Sequence, residues 1–181
     1  MTATGWFYLI VVIAAGLGIG IGVVLPAFGQ AHAAARALEA IARQPDESTT
    51  ISRNLYIGLA MIESQALYVL IVALILLFAN PLAGRIQEAA ATSSLAFWLL
   101  VTSAVVAVMS ITIGTMASSL GQGRVTGAAL ESIAEQPAAR DSLSTTLFIS
   151  LALLESLALY ALIVALILLF ANPLIEQVLQ R

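Results

Sequence analysis

Two glutamates stand alone in long apolar stretches, Glu63 in LAMIESQALYVL and Glu155 in LALLESLALYAL. Each is followed by a serine and, four residues further on, a tyrosine: Ser64 and Tyr68, then Ser156 and Tyr160. A charged side chain at the centre of a bilayer costs roughly +2.5 to +3.5 kcal/mol, so each carboxylate must be neutralised before it faces hydrocarbon. A proton or a sodium ion would do so. Sodium, a hard cation, takes several oxygens, and a glutamate carboxylate, a glutamine amide, a serine hydroxyl and a backbone carbonyl would supply them. The glutamines available are Gln30 and Gln122, which gives two sets, Gln30 with Glu63 and Ser64, and Gln122 with Glu155 and Ser156. Tyr68 and Tyr160 would orient the carboxylates by donating hydrogen bonds. A proton needs only the carboxyl and one acceptor, so the surplus of polar groups favours sodium over protons. The competing reading of the same serines, tyrosines and glutamines is interhelical hydrogen bonding for stability.

Spacing says where these groups meet. Ser64 and Tyr68, at i and i+4, share one helical face. Glu63 lies about 100° around the helix from Ser64, which points to a site shared across an interface between adjacent hairpins. Gln30 precedes Gln44 by fourteen residues and Glu63 follows Pro45 by eighteen. At about 1.5 Å per residue, with several residues spent in the turn, both lie roughly 20 Å from that turn and at one depth.

The elements that must hold them there are membrane helices. The chain has 181 residues, 61% hydrophobic and 9% charged, against about 25% charged in ordinary soluble domains. Four segments reach the roughly 20 apolar residues that a bilayer requires: about Trp6 to Phe28, Leu55 to Ala79, Leu95 to Leu120 and Leu147 to Ala171. Polar turns at Gln44-Pro45 and Gln136-Pro137 separate the members of each pair. This predicts an all-α membrane protein of four transmembrane helices in two tandem hairpins, 1–82 and 95–181, joined by a linker, 83–94. The first segment lacks a basic leader and a cleavage site, and is read as a retained helix. Five of the seven arginines (36, 43, 53, 124 and 140) lie in or beside the two polar turns, which predicts cytoplasmic turns and both termini outside.

Shifting the chain by 92 residues superimposes its halves, with about 37 identities over about 89 positions. The run IVALILLFANPL occurs twice, unchanged. Two helices separate corresponding points, so the repeat is parallel and continues naturally into a closed ring about an axis normal to the membrane. Gly16, Gly18, Gly20 and Gly22 line the first helix, and the third carries Val108, Ser110, Thr112 and Gly114 in their places. Glycines on one face permit close helix approach, either in pairwise dimers or in a packed inner ring. They are not a dinucleotide fingerprint, which needs a preceding strand.

Other chemistry is excluded by composition. There is no cysteine, the one histidine, His32, reads as a surface residue near a turn, and a net charge of −3 gives no face for nucleic acid.

Taken together, GQAHAAARALEAIARQPD, IESQALY and ILLFANP resemble the rotor-ring c subunit, or proteolipid, of F-type ATP synthases. The resemblance implies a non-enzymatic, ion-translocating subunit without a cofactor, in a homo-oligomeric ring in a membrane, expected to be the bacterial inner membrane. It implies as partners a stator a subunit, the central stalk and membrane lipid. It assigns ion carriage to Glu63 and Glu155 and stalk contact to Arg43, Gln44 and Pro45, with Gln136 and Pro137 in the second loop. The Q…ES…Y pattern looks like the sodium-type variant. Two departures stand out: the second loop has Glu135 in place of Arg43, and the fusion of two hairpins is similar to V-type proteolipids. The alternatives are a V-type-like rotor subunit and a non-rotary small ion transporter.

Overall fold

The computed structural model describes residues 2–180 and places them almost entirely in helices. These are α1 (Ala3–Gly22), α2 (Val24–Arg43), α3 (Ser48–Phe78), α4 (Ile86–Thr92), α5 (Ser94–Glu135), α6 (Arg140–Phe170) and α7 (Pro173–Leu179). Four stretches are long and apolar enough to cross a membrane, as expected. The first and third differ in one respect. Pro26 lacks an N–H and its ring crowds the carbonyl of Gly22, four residues back, so the helix is interrupted at Val23 between α1 and α2. The repeat places Ser118 opposite Pro26, and α5 runs through 42 residues without a break. The linker read between the hairpins is itself helical, a 3₁₀ turn Ala83–Arg85 followed by α4.

Both Gln-Pro turns have nearly the same backbone. Gln44 sits at φ −135°, ψ 76° and Gln136 at φ −133°, ψ 73°, and each is followed by a single 3₁₀ turn beginning at the proline. The proline forces its predecessor out of the α region, which ends the helix and starts the return.

Contacts group the chain into two compact units. One comprises residues 2–21, 68–113 and 160–180. Its core is apolar, built on Phe7, Val11, Val72, Leu76, Leu100, Ile111 and Leu169. Gly18 admits Val108 where a Cβ would clash, and Thr112 donates to the Gly18 carbonyl at 3.3 Å. Asn172 caps α7, accepting from the Leu174 amide at 3.0 Å, and its amide donates to Ser103 Oγ at 2.9 Å.

The other unit comprises residues 22–67 and 114–159. Here backbone meets backbone: a Cβ on Gly123 would lie 2.5 Å from Gly29 Cα and 2.6 Å from its carbonyl oxygen. Inside a bilayer, leaving lipid is no gain for an apolar side chain, so such close packing and interhelical hydrogen bonds carry the association. Polar clasps tie this unit together at the turn side. Arg36 pairs with Glu131 at 3.0 Å, Arg140 with Glu47 at 2.8 Å, and Asn54 donates to Ser144 at 2.7 Å.

Candidate ion site

All the groups described next, the two tyrosines excepted, belong to the unit of residues 22–67 and 114–159. Two side chains of the first hairpin and one of the second converge on Glu155. The Gln122 amide of α5 donates to Glu155 Oε2 at 3.0 Å, and the Gln65 amide of α3 donates to the same oxygen at 2.5 Å. Ser64 Oγ lies 3.0 Å from Glu155 Oε1 and 2.7 Å from the Met61 carbonyl. A hydroxyl has one proton, so it serves one of these two acceptors at a time. Gln65 and Gln122 are both fully buried, at 0% exposure, and in each the amide oxygen has no hydrogen-bond partner. A buried amide oxygen left unpaired costs about 1–3 kcal/mol, and here both amides that donate to the one carboxylate carry such an oxygen. Rotating each amide by 180° would turn both oxygens toward Glu155, an exchange of O and N that costs little in shape. Glu155 Oε, the two amide oxygens, Ser64 Oγ and the Met61 carbonyl then form an all-oxygen set suited to a hard monovalent cation. Among the described residues no group of three or more His, Cys, Asp or Glu gathers, so the carboxylate here is single and its companions are neutral.

The second glutamate is furnished differently. Gln30 donates to Glu63 Oε2 at 2.7 Å, and among the described residues it is the hydrogen-bond partner of that carboxylate. Glu63 is exposed. The ruler from the turn thus places Gln30 and Glu63 at one level, and Gln122 and Glu155 likewise. Ser64, grouped in the sequence with Glu63, reaches Glu155 on the neighbouring hairpin, in line with a site that straddles two hairpins. Ser156 donates to the Leu153 carbonyl on its own helix. Tyr160 is 61% exposed and Tyr68 half-buried, both in the other compact unit.

From the sequence, Gln65 is outside the site set, and its replacement by Leu157 in the second half reads only as a difference able to alter a water or backbone contact near the ion. The available signal was its polarity: a glutamine inside an apolar span needs a partner, whether or not the repeat conserves it. In the loops, Arg43 and Gln136 are exposed, and Glu131 draws Arg36 and, at 3.9 Å, Arg43. His32 is exposed, beside Gly127.

Two tandem hairpins of helices long and apolar enough to cross a membrane, each carrying a glutamate hydrogen-bonded to a glutamine, define the class, a helical membrane protein. Sequence comparison makes the assignment specific. The profile of the C-subunit family of ATP synthases matches residues 13–76 and again 105–168, one match in each half, and the chain belongs to that family. It is 53% identical over 73 residues to an ATP synthase c subunit, the second of that name, of Cereibacter sphaeroides, covering 40% of this chain and 88% of that one. It is 48% identical over 67 residues to the first ATP synthase c subunit of Pelobacter propionicus, covering 37% and 74%. A chloroplast ATP synthase c subunit from Emiliania huxleyi is 53% identical over 73 residues, covering 40% and 89%. Each relative is thus about the length of one hairpin, and this chain carries two.

Proposed function

We propose that the chain is a double-hairpin rotor subunit of an ATP synthase, forming a closed ring that carries sodium ions on Glu63 and Glu155. The observation that carries the choice of ion is the pair of buried glutamines, Gln65 and Gln122, whose amides meet Glu155 while their amide oxygens have no hydrogen-bond partner. A protonated carboxyl would need one acceptor, and Ser64 supplies it; two further amide oxygens serve a cation.

The cycle follows from the cost of charge in lipid. An ion arriving through a stator half-channel neutralises the glutamate, and the neutral site can then turn through hydrocarbon. An arginine of the stator a subunit, supplied in trans, displaces the ion at the exit. Rotation of the ring couples ion flow to ATP synthesis or hydrolysis in the soluble head, and no ATP chemistry falls to this chain. The first loop, with Arg43, Gln44 and Pro45, faces the central stalk on the cytoplasmic side. Gln136 and Pro137 give the second loop the same turn, but Glu135 replaces the arginine and weakens its part in that contact. The ring sits in a bacterial inner membrane with both termini outside. Because each hairpin keeps a carboxylate, fusion leaves the number of ions per hairpin unchanged, and a ring of this chain alone has an even number of hairpins.

Imaging of the purified assembly, together with carbodiimide labelling of its carboxyls, tests this. A closed ring whose labelling is blocked by sodium is the expected result. Small discrete oligomers would overturn the rotor reading, and labelling indifferent to sodium would reassign the ion to protons.

A further inference from the structure

Every site in a ring of single hairpins has the same surroundings, whereas a ring of fused hairpins has two kinds of seam, one within a chain and one between chains. The site at Glu155 straddles the seam within the chain: Ser64 and Gln65 come to it from the first hairpin. Continuing the repeat by one further step brings a second copy's first hairpin against this copy's second. Ser156 and Leu157 then stand to Glu63 of the second copy as Ser64 and Gln65 stand to Glu155.

Three observations support that docking by a second copy. Glu63 is exposed, with Gln30 as its hydrogen-bond partner, so its site lacks the side that α3 gives Glu155. Leu157 is 55% exposed, although it occupies the place of fully buried Gln65. Gly16 and Gly20 have no heavy atom within 4 Å of an added Cβ, while Gly18 between them is closed by Val108. The glycine stripe therefore has one face filled by this chain and one face open, as a first helix awaiting a neighbour requires.

Resting on the rotor reading, we infer that the ring alternates between two classes of ion site. The site within each chain is made by Glu155, Gln122, Ser64 and Gln65; the site between chains is made by Glu63 and Gln30 of one copy with Ser156 and Leu157 of the next. The second class lacks the Gln65 amide, which removes one cation ligand in the loaded state and one hydrogen-bond donor to the carboxylate in the empty state. The lost donor leaves the empty carboxylate less stabilised and offsets part of the effect, while the lost ligand sets its direction, towards weaker retention. One hydrogen-bonding partner of a charged group corresponds to about tenfold or more in binding. Ions would therefore load and leave in two alternating regimes as the ring turns, strong retention at Glu155 and weaker retention at Glu63.

The test uses the intact purified ring, verified as a ring by imaging, and carbodiimide modification quantified separately at Glu63 and Glu155 by peptide mass spectrometry. Sodium is titrated at one fixed pH. The expected result is protection of Glu155 at about tenfold less sodium than Glu63. Gln65→Leu should bring the two midpoints together by weakening Glu155, and Leu157→Gln should bring them together by strengthening Glu63. The second substitution acts at an exposed position and keeps the test open if the first impairs assembly. Coincident midpoints in the wild-type ring, or a split unchanged by both substitutions, would overturn the alternation while leaving the rotor reading intact. Failure to find a ring would overturn both.

Discussion

Replacing Gly123 by alanine should separate two helices that depend on backbone contact. Its Cβ would fall 2.5 Å from Gly29 Cα, 2.6 Å from the Gly29 oxygen and 2.8 Å from the Gly29 carbonyl carbon. All three atoms are backbone, so no rotamer change relieves the clash. Carbon atoms sit comfortably at about 3.5–4.0 Å, so α2 and α5 must part locally by about 1 Å. Overpacking of this kind costs about 1–3 kcal/mol. Gly121→Ala is the internal control: its Cβ would meet Leu154 Cδ2 at 3.0 Å, the tip of a flexible side chain that can turn away. The parting also pulls on Gln122, next in sequence to Gly123 and 3.0 Å from Glu155 Oε2, so sodium protection of Glu155 should weaken along with stability. Unfolding followed by circular dichroism as SDS is titrated into neutral detergent micelles measures the first effect, and carbodiimide labelling the second. Equal destabilisation by the two alanines, or none by either, would refute the idea that this crossing is set by backbone contact.

Four further outcomes are expected. Glu63→Gln and Glu155→Gln should each, alone, abolish ion-coupled ATP hydrolysis while the ring still assembles, because each site must pass the stator in turn; retention of more than about half the coupled rate by either variant contradicts the two-carrier mechanism. Thr50 and Arg140 hold the Glu47 carboxyl below the usual carboxylate range, by side-chain hydrogen bonding first of all. The unfolded group binds its proton at the higher pH, so this contribution is complete above the ordinary carboxylate pKa and is lost as pH falls through the lowered one; an acid titration of stability should lose that component in Glu47→Gln. Asn172→Ala removes a helix cap and leaves Ser103 without its 2.9 Å donor, for about 1–2 kcal/mol. Asn80→Ala should cost less: Asn80 likewise accepts from the Leu82 amide at 3.0 Å, but its own amide nitrogen has no partner, and equal losses on SDS titration would discount the Ser103 bond.

Much of this was legible because the bilayer simplifies the problem. Helix is the one open conformation that satisfies its own backbone in hydrocarbon, so four apolar runs and two Gln-Pro dipeptides sufficed for the spans and their turns. The pairing of Gln30 with Glu63 and of Gln122 with Glu155 followed from a residue count, since helices convert sequence into depth at a fixed rise. Helix rotation is harder to count. Ser64 could be placed on a face distinct from Glu63, but which neighbouring carboxylate that face meets depends on packing between hairpins, and the structure gives it to Glu155. The difference between Gln65 and Leu157 is plain in the sequence, but that the Gln65 amide reaches Glu155 depends on the same packing. The break at Val23 turns on Pro26, a signal plainly present but outweighed by the continuous apolar run around it.

Those differences between the halves are where fusion acts. The clasps of the turn side join Arg36 to Glu131 and Arg140 to Glu47, and each pair takes one residue from each hairpin. Moved on by one repeat, the same positions are Ala128 against Glu39, and Ser48 against Ala139. Neither can form an ion pair. Exposed pairs are individually weak, but Glu47 is largely buried and the pairs sit within one small region, so together they bias which hairpins adjoin. The seam within a chain is thus marked by complementary charge and by Gln65, and the seam between chains in the proposed ring would be marked by neither. A ring of identical single hairpins could not hold this distinction, because any residue that favoured one seam would appear at all of them. Duplication followed by fusion removes that constraint, and here Arg36, Glu47, Gln65 and Arg140 have diverged from their counterparts, while the run IVALILLFANPL, which gives Val72, Leu76 and Leu169 to the apolar core, has not changed at all.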